Sequence, residues 1–233
     1  SVILMDKGAP GLGASFGHAG VLGQWAVAPV TSPTLWREAP KYLLNPNSPL
    51  FMKWSYFPKL LPWLAKYMSH ATDSATQRIV SNLIPILSDA VEQHKSLVRG
   101  TDLERWVSDS KFSYAYRSKA AFEADSYSWT MKASSGFVPQ VITGAAVQEC
   151  EPILGPTVKC LAVLEGQGHI VNPGQYITEL AKHFVENGGR FVQAEVRDLQ
   201  KSNGQISLVE TDQGPFECSR AVITAGIWSK ELM

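Results

Sequence analysis

Three groups of residues have types and spacings that could do chemistry. The first is Asp6, which closes the apolar run Val2-Ile3-Leu4-Met5. A run of that length suits a strand buried on both faces of a parallel sheet. A carboxylate at the tip of such a strand is where nucleotide-binding folds hold ribose hydroxyls. Lys7 follows it and opens the loop Gly8-Ala9-Pro10-Gly11-Leu12-Gly13. The second group is Ala14-Ser15-Phe16-Gly17-His18-Ala19-Gly20, a stretch small enough for backbone to approach a flat ligand closely. The third is Tyr114, Tyr116 and Arg117, since a guanidinium fork beside a phenol hydroxyl suits a substrate carboxylate. A strand-end surface pair is the plainer reading of that third group. No serine, cysteine or metal constellation suggests a protein nucleophile, so the catalytic group stays unassigned.

The glycines do not complete a phosphate-binding fingerprint. Gly11-x-Gly13 would need glycine at position 16, where Phe16 stands. The acid of that fingerprint also follows the glycines by about twenty residues, whereas Asp6 precedes them. Val2 to Asp6 therefore reads as the second strand of a dinucleotide fold, with the first strand and its loop before Ser1. The expectation is an internal fragment.

A chain of 233 residues, 45% of them hydrophobic, can bury a real core. Lysine plus arginine equals aspartate plus glutamate at 21 each, which argues against a nucleic-acid partner. Cys150, Cys160 and Cys218 are odd in number and lack metal spacing. They read as reduced thiols of a cytoplasmic protein. No apolar run reaches the length of a membrane span.

Along the chain, Val21 to Asn47 carries Pro29, Pro33, Pro40 and Pro46 with Trp25, Trp36 and Tyr42, and reads as a turn-rich connection. Phe51 to Met68 mixes Trp54, Tyr56, Phe57, Trp63 and Tyr67 with Lys53, Lys59 and Lys66. Two short helices packing aromatics into a core are one reading; a basic amphipathic segment lying on the inner face of the cell membrane is the other. Ser74 to Val98 has a helical stripe kinked at Pro85, and a second helix covers Leu103 to Val107. Phe112, Tyr114 and Tyr116 alternate as a strand, and Ser118 caps a helix. Val138–Thr143 and Val158–Leu164 complete an antiparallel sheet with helices on one side. Asn172-Pro173-Gly174-Gln175 starts a helix with a capping box, its apolar stripe running from Tyr176 to Val185. A strand over Arg190–Val196, a hairpin around Gly214 and a buried strand Ala221–Gly226 follow.

Taken with the turn at 14–20, this text resembles the amino-acid-oxidising FAD-dependent oxidoreductases, nearest to their D-amino-acid dehydrogenase branch. Asp6, Ser15, Ala19 and Gly20 match that branch's strand acid and Ser-Phe-Gly-Asn-Ala-Gly-like turn; His18 stands where asparagine is usual. Tyr116-Arg117-Ser118, Glu151-Pro152-x-Leu154-Gly155-Pro156 and Ala225-Gly226-x-Trp228-Ser229 resemble it too. The resemblance implies an α/β, Rossmann-like flavin domain in discontinuous pieces (1–48 and 167–233) with an inserted α+β substrate domain (49–166). It implies FAD held by Asp6, Lys7, Ser15, His18, Ala19, Gly20, the backbone of Val196, and Thr224, Ala225 and Gly226. The reaction implied is hydride removal from the α carbon of a D-amino acid to flavin, then imine hydrolysis, with a quinone or oxygen as acceptor. Oxidation of glycine, sarcosine or another secondary amine, or an inactive fragment of such an enzyme, stays open beside it. Histidine in a similar turn of dimethylglycine and sarcosine dehydrogenases bonds flavin covalently, which makes His18 a candidate for that bond.

Overall fold

The parallel pairing of two short strands from opposite ends of the chain sets the architecture. Strand β1 (Ile3–Asp6) runs beside β6 (Arg190–Gln193), in register from Ile3↔Arg190 to Asp6↔Gln193. The computed structural model describes residues 1–37, 39 and 53–233. These divide into two compact units: Ser1–Gly20, Gly100–Trp106 and Ile170–Met233 form the first, and Val21–Arg99 with Val107–His169 the second. The expected boundary at 48/49, and Pro40, Tyr42, Pro46 and Phe51, lie outside the described residues.

In the first unit, β1 has β6 as its sole strand neighbour among the described residues. It is therefore not buried on both faces: Ile3 and Met5 are half-buried while Leu4 is 42% exposed. Helix α7 (Pro173–Glu186) packs against β6 and buries Tyr176 and Ala181. Asn172 caps it, its Oδ1 accepting the Gln175 N–H at 3.1 Å. The capping box is not closed: among the described residues the Asn172 N–H makes no bond to Gln175 Oε1, and the Gln175 amide donates to Glu179. Val185, expected on the apolar stripe, is exposed. The expected helix over Leu103–Val107 is a 3-10 turn at Asp102–Trp106. It is tied to α7 by Arg105 at 2.6 Å and the Trp106 indole at 2.9 Å, both on Glu179 Oε2. Strands β7 (Val196–Ser202), β8 (Gln205–Thr211) and β9 (Gly214–Glu217) form an antiparallel meander, as the hairpin reading required. The expected buried strand at Ala221–Gly226 does not form. Among the described residues no strand pairs with that stretch, so its backbone groups join no ladder, and Val222 is 87% exposed. A 3-10 turn, Gly226–Leu232, ends the chain.

The second unit is built on β5 (Cys160–Ile170), the central strand of a four-stranded antiparallel sheet. Strands β2 (Val21–Leu22) and β4 (Gln140–Thr143) pair with it antiparallel, and β3 (Val107–Tyr116) is hydrogen-bonded alongside. Alternate β5 residues face opposite ways. Ala162 and Leu164 pack with Trp129 of α5 (Ser126–Ser134); Leu161 and Val163 pack with Val147 of α6 (Ala146–Cys150). Helices thus cover both faces rather than one. Cys160 to Leu164 is buried throughout for that reason. Ser118 caps α4 (Lys119–Ala124) as expected. The helix read over 74–98 is two: α2 (Asp73–Leu87) and α3 (Ala90–Val98). Pro85 lacks an N–H for the carbonyl of Ser81, and the chain leaves the helix two residues later instead of bending through. Segment 57–69 is helix α1 (Phe57–Ser69), continuous through Pro62. No helix among the described residues is long and apolar enough to cross a membrane.

Replacing Asn172 with alanine leaves the Gln175 N–H in the first turn of α7 without its side-chain acceptor. Urea unfolding should show a loss of about 1 kcal/mol with an unchanged m-value.

Candidate functional site

In a parallel pair both strands end at the same edge, so the register Asp6↔Gln193 brings two strand ends together. The Ala194 N–H donates to the Asp6 carbonyl at 2.9 Å, extending the ladder one step beyond β6. Lys7, Gln193, Ala194, Glu195, Asp212 and Gln213 line an open cleft of about 480 Å³ at this edge. Side chains knit its rim. The Gln193 amide donates to the Lys7 carbonyl at 3.2 Å, and Gln213 donates to the Gln193 carbonyl at 2.6 Å. The Glu195 N–H donates to Asp212 Oδ1 at 2.8 Å. Lys7 places its ammonium 5.5 Å from the Trp228 ring.

Asp6 is exposed, with Oδ1 accepting the Gly8 N–H at 2.8 Å. That bond closes an Asx turn and fixes the carboxylate beside the cleft. Its second oxygen makes no hydrogen bond among the described residues, so it is available to a ligand hydroxyl. The loop that follows is seated on the first turn of α7. Gly11 has φ +83°, and a Cβ there would overlap the Gly174 carbonyl and the Thr178 hydroxyl. Thr178 Oγ1 donates to the Pro10 carbonyl at 3.0 Å. The turn then brings Ser15, half-buried, and exposed His18 and Ala19 to Gly20. His18 Nδ1 accepts the Gly20 N–H at 2.9 Å, which leaves Nε2 as the nitrogen facing outward. Gly20 is buried at φ +71°, and its carbonyl accepts the Ile170 N–H at 2.7 Å. Thr224 and Ala225 lie in the irregular stretch before the terminal 3-10 turn and Gly226 opens it; its first bond runs from the Trp228 N–H to the Ala225 carbonyl. Val196 opens β7 opposite Thr211, three residues past the end of β6.

The third candidate group lies on β3 in the second unit. Tyr114 and Tyr116 share its inner face and pack with Trp129; Arg117 follows the strand and is exposed, with no hydrogen bond to either tyrosine. The two phenols differ. Tyr116 donates to Asp125 Oδ2 at 2.8 Å and accepts from the Trp129 indole at 2.9 Å. Burial, with the Asp125 bond in support, pushes its phenol up to about 12. The Tyr114 hydroxyl makes no hydrogen bond among the described residues. Burial foremost, then the neighbouring Tyr116 and Asp125, raises its phenol too. Trp25 (4.4 Å from Phe112) and Phe112 both stand at right-angle contact to Tyr114.

Lys132, absent from the reading of the sequence, lies only 4% exposed. Its ammonium donates to Ser128 Oγ at 2.5 Å and sits 4.6 Å from the Trp129 ring and 4.9 Å from Tyr114. Burial pushes its pKa down, and Asp125 opposes that. The signal for it was the spacing Trp129-x-x-Lys132 on one helix face. Gln193, Glu195, Asp212 and Gln213 were missed as well, because a residue becomes a rim residue only through strand pairing. Among the described residues no group of three or more His, Cys, Asp or Glu could hold a metal.

The comparisons with known proteins bear on this geometry. The description "FAD dependent oxidoreductase" (DAO) matches residues 1–233. The chain belongs to that family. It is 32% identical, over 99% of its length, to a D-amino-acid oxidase of Bradyrhizobium diazoefficiens, and covers 55% of that protein. It is 23% identical over 97% of its length to a D-amino acid dehydrogenase of Helicobacter pylori, covering 54% of it. Glycine oxidase from Bacillus cereus shares the fold over the whole chain, with TM-score 0.58, 19% identity and 50% of that structure covered. L-amino acid deaminase from Proteus vulgaris does so with TM-score 0.59, 18% identity and 48% covered. The chain spans about half the length of the curated relatives it matches.

The raised phenol of Tyr116 makes a signed pH prediction. An unfolded chain ionises its tyrosines near 10, while folded Tyr116 keeps its proton to about 12. Above 10 the unfolded state therefore binds fewer protons, and stability falls as pH rises between those values. Tyr116→Phe should flatten that fall in urea titrations at pH 10 to 12 and remove one late phenolate from the ultraviolet titration. An unchanged slope would mean that Tyr116 ionises as an ordinary surface phenol.

Proposed function

We propose that this chain binds FAD and belongs to an enzyme that oxidises the C–N bond of a D-amino acid, passing electrons onward to oxygen or a quinone. The observation that carries the reading is the exposed, turn-held carboxylate of Asp6 at the end of β1, next to Lys7 and opposite Gln193, which line the cleft. The residues fit the nucleotide end of the cofactor: an acid with one oxygen to spare, a cleft of nucleoside size, and rim side chains already bonded to one another. The names of the two curated relatives, an oxidase and a dehydrogenase of D-amino acids, support the substrate class.

In this reading Asp6 accepts from a ribose hydroxyl, and the backbone at Val196 borders the adenine. Lys7, Ser15, Ala19, Gly20, Thr224, Ala225 and Gly226 offer cation, hydroxyl and uncrowded backbone to the remainder of the cofactor. His18 Nε2 donates beside it. Bound FAD supplies the two-electron acceptor for the C–H next to the amine. The protein's own task is then to bind and orient. Tyr114 suits a substrate contact better than Tyr116, because its hydroxyl is uncommitted while that of Tyr116 is held at both ends. Arg117 is the paired cation for the substrate carboxylate, exposed at the strand end. The pieces 1–48 and 167–233 serve the flavin and 49–166 the substrate.

Two measurements test this. In the whole protein, an oxidised flavin band should bleach on anaerobic addition of D-alanine. A band that persists with D-alanine but bleaches with glycine, sarcosine or another secondary amine moves the substrate and keeps the cofactor; no flavin, even after FAD is added, overturns the reading. Asp6→Asn keeps the acceptor for the Gly8 N–H, so the turn survives while the charge is lost. FAD should then bind about tenfold more weakly, roughly 1.4 kcal/mol, by fluorescence titration.

A further inference from the structure

Helix α1 and the turn before it, Lys53–Ser69, carry three lysines and no aspartate or glutamate, in a chain whose total charge is zero. No residue of the helix is buried. Its packing stripe is the half-buried row Phe57, Leu60, Leu64, Tyr67 and Met68, which leaves the other side to solvent. There Lys59 and Lys66 stand four residues before and three after Trp63, so on a helix they flank it. Trp63 is 59% exposed and lies flat on Tyr67, with ring centroids 4.9 Å apart. Trp54 is 62% exposed and Tyr56 is exposed in the preceding turn, beside exposed Lys53.

We propose that this face docks on an anionic lipid surface. Charge complementarity names the occupant. Lysine ammoniums reach lipid phosphates on flexible stems, and indole rings prefer the headgroup level, where one edge is apolar and the other wet. A protein partner that matched only the aromatic rings would leave three cations to be paired. A surface of phosphates under a shallow apolar layer satisfies both at once. The contact lies wholly within the second unit and is independent of flavin binding.

The test is co-sedimentation of the full chain with vesicles of phosphatidylglycerol and phosphatidylcholine against phosphatidylcholine alone, at low salt. Binding to the anionic vesicles is expected, weakening by more than about tenfold in neutral vesicles, in 0.5 M salt, or in the Lys53→Gln/Lys59→Gln/Lys66→Gln variant. Trp63→Ala should weaken it too, with circular dichroism unchanged because the ring is on the surface. Three results would each overturn the proposal: no binding to anionic vesicles; equal binding to both kinds; or a dimer lost in Trp63→Ala without any vesicle retention, which would make the face a contact between copies. Flavin content does not enter any of these readouts.

Discussion

The first unit depends on one hydrogen-bond ladder. Pairing β1 with β6 in parallel joins residues 3 and 190 and ends both strands at one edge. Everything assigned to nucleotide binding follows from that edge. The Asp6 carboxylate is at its lip, the Ala194 N–H closes it, and the β8–β9 turn at Asp212 and Gln213 meets it through bonds to Glu195 and Gln193. Parallel strands need a long crossover, and the intervening chain is the longest available: it includes the entire second unit. Closing such a loop costs entropy that grows only with the logarithm of its length. A small ladder can therefore hold distant segments together when its neighbours, α7 above all, add buried surface.

The second unit solves a different problem. Its central strand is buried on both faces, so alternate residues must each find a covering helix. On one side this produces the dense aromatic group around Trp129, where Lys132 is accommodated over two rings and beside a hydroxyl. A buried ammonium costs free energy unless the environment returns it. Here two π faces and Ser128 do so, with no carboxylate ion pair among the described residues. The same group holds Tyr116 at both ends of its hydroxyl. The unequal freedom of Tyr114 and Tyr116 is therefore a packing result, decided by which ring reaches Asp125.

Much of this was legible residue by residue, and the failures share a cause. Period-two alternation found β3, the Asn-Pro start found α7, and Ser118 announced α4, because each signal is local. What depended on a neighbour was misread. Val2–Met5 and Ala221–Gly226 both read as buried strands, yet one pairs and the other does not. β5 extends past the expected Leu164 to Ile170 because β2 pairs with its far end, at Gly168 and His169. Gln175 has the side chain for a capping box, but its amide is turned along the helix and donates to Glu179 one turn on. The cleft rim could not be read at all, since Gln193 and Gln213 are ordinary polar residues until the register sets them side by side.

The bond from the Gly20 N–H to His18 Nδ1 gives a physical reason for the departure at that position. Asparagine, usual there in the resembling branch, carries its carbonyl oxygen on Cγ. Histidine carries Nδ1 on Cγ as well. Both side chains place an acceptor the same number of bonds from the backbone, within reach of the N–H two residues ahead. The turn thus specifies an atom rather than a residue type, and imidazole can replace carboxamide without redrawing the main chain. What the exchange alters is the outer end: an amide NH₂ gives way to ring Nε2, which carries the proton and donates while Nδ1 accepts. The fold can stay fixed here while the chemistry at its surface is free to diverge.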